Sequence, residues 1–102
     1  MIEFLKRLFI ADNSLQDLIK SGAQIVDVRT PAEYASGHLK SSINIPLNEL
    51  PHKLSALKKD KAIITCCASG MRSLSALNIL KSAGFKEVRN GGSWKNLKKY
   101  EQ

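Results

Sequence analysis
The spacing of apolar residues changes period repeatedly along this chain, and each change marks an element. Ile2, Leu5 and Leu8 recur at helical spacing, with Glu3, Lys6 and Arg7 between them. They predict a short N-terminal helix packed on its own domain or on a partner; as a membrane-surface helix standing alone it would be marginal. Leu15, Leu18 and Ile19 form a second helical stripe, with Ser14 as its predicted N-cap and Gly22 as its stop. Ile25, Val26 and Val28 then crowd together, as expected of a buried strand over 24–28. Thr30-Pro31-Ala32-Glu33 starts another helix. Its threonine can cap, its proline suits the first helical position, and its glutamate can close a capping box. Gly37 ends that helix, and residues 42–45 read as a short strand stopped by Pro46.

The second half repeats the alternation. Leu47, Leu50, Leu54 and Leu57 are split by Pro51 into a turn and a helix starting near that proline. Residues 62–66 are apolar enough for a central strand covered on both faces. Leu74, Leu77 and Leu80 predict a helix running to about Ala83, with Gly84 as its stop. A brief strand over 87–89, a turn at Gly91-Gly92 and a last helix capped by Ser93 complete the chain; Trp94, Leu97 and Tyr100 share that helix's inner face, with Trp94 as a core anchor. Strands alternating with helices imply an α/β domain with a mainly parallel sheet, whose ligands lie beyond the carboxyl ends of the strands.

Composition narrows this only slightly. The 102 residues are expected to form one domain, with 12–100 as its core and 1–11 as a helical extension. A hydrophobic share of 43% and a charged share of 25% exclude a disordered chain. No apolar run approaches the ~18 residues of a membrane span, and no leader peptide is recognisable; with only two adjacent cysteines a reducing cytoplasm is expected, and the chain is expected to be a monomer. The net charge of +7 is either a solvated basic surface that aids solubility or a means of steering anions or an acidic partner. The lysines are scattered without an aromatic series, so nucleic-acid binding is not expected. His38 and His52 stand far from the cysteine pair, which leaves no metal-binding spacing, and no cofactor is expected.

The chemistry concentrates in Ile63-Ile64-Thr65-Cys66-Cys67-Ala68-Ser69-Gly70-Met71-Arg72-Ser73. An apolar strand ends in cysteine, and a helix starts within a few residues. Amides of such a loop converge above a helix N-terminus, where a thiol is expected to ionise more readily. Gly70 can turn Ala68, Ser69, Gly70 and Met71 into an anion nest; Arg72 adds charge and paired donors, and Ser73 a hydroxyl. Cys67 is the candidate nucleophile. Asp27 and Arg29 either manage protons for it or form an ion pair that holds the next loop, and His38 is either a base or a structural hydrogen-bonding group.

Residues 67–73 read Cys-x-x-Gly-x-Arg-Ser, and in this the sequence resembles the rhodanese (sulfurtransferase) family. The resemblance extends to Asp27-Val28-Arg29, Glu33-Tyr34-x-x-Gly37-His38-Leu39, Asn44-Ile45-Pro46, and Gly91-Gly92 with Trp94, so it covers nearly the whole chain. It implies the three-layer fold of that family, with helices on both sides of the sheet. It implies transfer of sulfane sulfur from a small anionic donor, thiosulfate or a persulfide, to a thiol acceptor through a Cys67 persulfide, with a protein as one conceivable partner. It also implies structural support, and not catalysis, from Asp27, Arg29 and His38. Ala68 and Ser69 make this loop less charged than the loops associated with thiosulfate, which leaves the donor open. A carrier without turnover is an alternative. So is a phosphatase or arsenate reductase of related fold, for which Cys66 would head a seven-residue Cys-x5-Arg loop; that pattern asks for glycine where Ser69 stands.

Overall fold
The computed structural model describes residues 11–101. The N-terminal helix expected over the first ten residues lies outside them. Helix α1 spans Ala11–Lys20, so Ser14 lies within it and is not its cap. It closes at Gly22, whose N–H bonds the Ile19 carbonyl at 3.1 Å. Strand β1 is Gln24–Asp27 and helix α2 is Pro31–Ala35. The predicted capping box is complete: Thr30 accepts from the Glu33 N–H, and the Glu33 side chain accepts from the Thr30 N–H. Strand β2 is Ser42–Asn44.

The helix expected near Pro51 does not form. Leu50–His52 and Leu54–Ala56 are separate 3-10 turns. Pro51 has no N–H to continue a helix from Leu47, and the run of residues beyond it is too short to nucleate one. The leucines still reach the interior: Leu50 and Leu57 are buried, with Leu47 and Leu54 packed against the same cluster.

Strand β3 is Ile63–Cys67, helix α3 is Met71–Ser82, strand β4 is Val88–Ser93, and helix α4 is Trp94–Leu97, continued by a 3-10 turn at Lys98–Tyr100. Gly91-Gly92 is therefore part of a strand and not a turn. The reason is close packing. A Cβ on Gly91 would lie 2.8 Å from Ile64 Cγ2 and 2.9 Å from the Thr65 carbonyl oxygen. The glycine lets β4 run on against β3 where a side chain would push it away.

Among the described residues the four strands are parallel, in the order β2-β1-β3-β4. Alternating side chains feed two core layers. Val26, Ile63 and Cys67 pack on Ala76 and Leu80 of α3, together with Leu50, Leu57, Phe85 and Val88. Ile25, Ile64 and Cys66 face Trp94 and Leu97 of α4, joined by Leu15, Leu18 and Ile19 of α1. Helices on both faces make this the expected three-layer architecture.

The stripe expected on α3 is rotated. Ser73, Ala76 and Leu80 are its buried residues, whereas Leu74 is 47% exposed. Polar contacts set the rotation: Thr65 Oγ1 donates to the Ser73 carbonyl at 2.8 Å, and Ser73 Oγ lies 3.5 Å from Cys67 Sγ.

Candidate active site
Cys67 is the last residue of β3, at the carboxyl end of an inner strand, and α3 begins four residues later. Gly70 makes this short connection possible: its φ of +110° is open to glycine and strained for other residues. The turn brings amides onto the sulfur. The Gly70 N–H points at Cys67 Sγ at 2.9 Å and the Ser73 N–H at 3.4 Å. Both are free because the opening turn of a helix has no carbonyls to bond them.

The electrostatic result separates the two cysteines. Burial pushes the Cys67 thiol up, but the Ser73 hydroxyl and the Ser73, Gly70 and Ser69 amides outweigh it, and its pKa is lowered from the ordinary value. Cys66 faces the other core layer, and burial together with the Asp27 charge pushes its thiol up to about 12. The seven-residue register would make the nucleophile a thiol that stays protonated at neutral pH. Both cysteines are free.

Asn90, on which the residue spacing placed no role, braces the loop. Its Oδ1 lies 2.6 Å from the Ser73 hydroxyl oxygen and accepts from the Gly92 N–H at 2.9 Å, and its Nδ2 donates to the Gly70 carbonyl at 3.3 Å. The signal was present in the sequence as an asparagine directly before Gly91-Gly92, but with those glycines assigned to a turn it had no place in the site.

Asp27 and Arg29 form a buried pair. The Arg29 guanidinium donates to both carboxylate oxygens, at 2.7 Å from Nη2 to Oδ2 and 2.9 Å from Nε to Oδ1. It also donates to the carbonyls of Gly37 and Glu33 at 2.8 and 3.2 Å, and lies 4.7 Å from the Trp94 ring centroid. With its donors so occupied, Arg29 ties α2 and the segment after it to the sheet. His38 is exposed, with its ring stacked on Tyr34 at 3.7 Å and Nδ1 2.7 Å from the Tyr34 carbonyl oxygen. It is held by its own loop and does not meet the cysteine.

Arg72 does stand at the helix start, but the structure gives it a partner that sequence spacing did not suggest. Nη1 meets Glu33 Oε1 at 2.7 Å and Nη2 meets Oε2 at 3.0 Å. Hydrogen bonds from Arg72 and from the Thr30 N–H lower the Glu33 carboxyl to about 2. Ala68, Ser69 and Met71 are exposed around the loop, Met71 by 73%. A cleft of about 470 Å3 borders the loop at Ala68 and is lined by Arg29, Glu33, Ser36, Trp94 and Lys95. Trp94 thus anchors the core and also forms one wall of this cleft. Among the described residues, no group of three or more His, Cys, Asp or Glu side chains converges, and no helix is long and apolar enough to cross a membrane.

The Rhodanese-like domain family matches residues 11–99. A putative sulfurtransferase of Bacillus subtilis, YtwF, is 33% identical over 85 residues, which is 81% of this chain and 82% of that one. The thiosulfate sulfurtransferase PspE of Escherichia coli is 34% identical over 74 residues, 71% of each chain. The solved structure titled "rhodanese with anions from E. coli" superimposes with a TM-score of 0.71 at 32% identity, covering 76% of this chain and 93% of that one.

Proposed function
The chain belongs to the rhodanese-like domain family, and on that premise we propose that it transfers sulfane sulfur through a persulfide on Cys67. The observation that carries the proposal is the set of donors aimed at Cys67 Sγ from Gly70 and Ser73. These favour the thiolate, which is the attacking form. The thiolate attacks the outer sulfur of the donor; a sulfur–sulfur bond forms to Cys67, and the donor's own sulfur–sulfur bond breaks. The electron pair leaves with sulfite if the donor is thiosulfate, or with a thiolate if it is a persulfide. The amides of residues 68–72 and the helix dipole stabilise the negative terminal sulfur, as an oxyanion hole stabilises oxygen. An acceptor thiolate then attacks that sulfur and restores the Cys67 thiolate, a ping-pong cycle.

The roles divide accordingly. Cys67 is the nucleophile; Ala68, Ser69, Gly70, Met71 and Ser73 shape the anion site; Arg72 supplies its charge. Asp27, Arg29 and His38 hold the surrounding segments and do not touch the sulfur.

Mass spectrometry after exposure to thiosulfate or an alkyl persulfide tests the reading. A mass gain of one sulfur atom on Cys67, removed by an added thiol, is the expected result. Loading with no discharge to any thiol or to cyanide would make the chain a carrier. Loading on Cys66, or turnover of an aryl phosphate in place of sulfur transfer, would overturn the assignment.

A further inference from the structure
An anionic donor needs a cation at the loop, and Arg72 is the only one within residues 67–73. Its guanidinium already has a partner. Two of its nitrogens each meet one oxygen of the Glu33 carboxylate, the paired geometry in which arginine also binds a sulfur oxyanion. Glu33 is not a chance surface partner. Its Oε1 accepts from the Thr30 N–H at 3.0 Å and from the Thr30 hydroxyl at 3.1 Å, so the capping box of α2 aims the carboxylate before Arg72 arrives. A second arginine, Arg29, lines the same cleft as Glu33 but is buried and committed to Asp27. The Arg72 and Glu33 side chains are about one-third exposed, so an anion from solvent reaches the pair, and an exposed pair is weak enough to be displaced.

We propose that Glu33 is a specificity-determining residue: its carboxylate occupies Arg72 in the resting protein and competes there with donors that carry a sulfur-oxyanion group. The inference rests on the sulfurtransferase reading of the same site. Thiosulfate must displace Glu33 to take the paired contact with these two nitrogens of Arg72. An organic persulfide has no pair of sulfur-bound oxygens to match the guanidinium and meets no such competition. The site is thereby biased against free sulfur oxyanions and toward organic persulfides.

Glu33→Gln is the suitable variant, because glutamine also closes a capping box while the charge is removed. In the thiosulfate:cyanide assay its KM is expected to fall about fivefold with kcat within about twofold. Mercaptoethanol persulfide should show no such gain, and the thiosulfate gain should vanish in the Glu33→Gln, Arg72→Gln double variant. An unchanged or higher thiosulfate KM in a Glu33→Gln protein of normal melting temperature would overturn the inference, as would an equal gain with both donors.

Binding of inert sulfate keeps the inference separate from the activity. Followed through the Ser69 and Gly70 amide resonances, sulfate affinity should rise about fivefold in Glu33→Gln even if no donor is turned over. Absence of sulfur transfer with this rise present would refute the functional reading alone. The wild-type chain decides the matter if the variant is unfolded. Saturating sulfate should shift the Glu33 side-chain carboxylate 13C resonance as it loses Arg72, and a resonance that stays in place refutes the competition.

Discussion
Two adjacent cysteines in one strand differ because successive side chains leave a strand on opposite sides. Cys67 receives amides from the start of α3, while Cys66 lies among apolar groups beside Asp27. Alkylation followed against pH should therefore show Cys67 titrating below the ordinary thiol range and Cys66 silent to at least pH 10. Cys67→Ser should abolish sulfur loading. Cys66→Ala should keep it and cost no more than about 1–2 kcal/mol, since a small buried group is lost. Ser73 bears on the same sulfur through its hydroxyl. Ser73→Ala should raise the alkylation midpoint of Cys67 and lower kcat/KM about tenfold, with the Ser73 amide still in place. An unshifted midpoint would remove the hydroxyl from the site.

Elements are joined here by a few polar ties that each serve several segments. The Asp27–Arg29 pair is almost fully enclosed, with side chains 1% and 4% exposed. Removing one charge leaves the other uncompensated, so Asp27→Asn should cost about 3–5 kcal/mol and lower the melting temperature on the order of 15 °C or more. The loss should appear as unfolding and not as a change in the Cys67 titration. Gly91 is a second tie, made by the absence of a side chain. Gly91→Ala places a Cβ against Ile64 and the Thr65 carbonyl, and a destabilisation of about 1–3 kcal/mol is expected. Activity should fall further than stability alone explains, because Asn90 next to it holds both Ser73 and the Gly70 carbonyl.

Across the whole molecule, the Arg72–Glu33 pair joins α3 to α2 over a separation of 39 residues. The Glu33 carboxyl is lowered from 4.5 to about 2 in the folded chain. The unfolded chain therefore binds the proton first, and stability rises with pH across that interval. The contribution is complete above about pH 4.5 and disappears as pH falls through about 2. Urea midpoints measured between pH 5 and pH 2 should fall more steeply for the wild type than for Glu33→Gln; parallel curves would show that the pair adds nothing.

What the sequence determined by itself was local. The Thr30-Pro31-Ala32-Glu33 start is readable because its hydrogen bonds close within one turn. The strand–cysteine–glycine–helix order around Cys67 is readable because a thiol at a strand end, a glycine able to turn the chain and a helix start are neighbours in the chain. The alternation of strands and helices carries the parallel sheet for the same reason, since short connections leave few other arrangements. What needed the tertiary structure was every decision made by a distant partner. Leu50, Leu54 and Leu57 keep helical spacing but sit on or beside 3-10 turns, because Pro51 interrupts the ladder and a shared core still satisfies them. Leu74 lies outside and Ser73 inside, because Thr65 and Cys67 set the rotation of α3. Gly91-Gly92 continues a strand because Ile64, Thr65 and Leu97 crowd it from other elements. The partnership of Arg72 with Glu33 was the least legible: a capping glutamate satisfies its local role completely, and nothing in residue spacing reveals that its second oxygen is met by a helix on the far side of the loop.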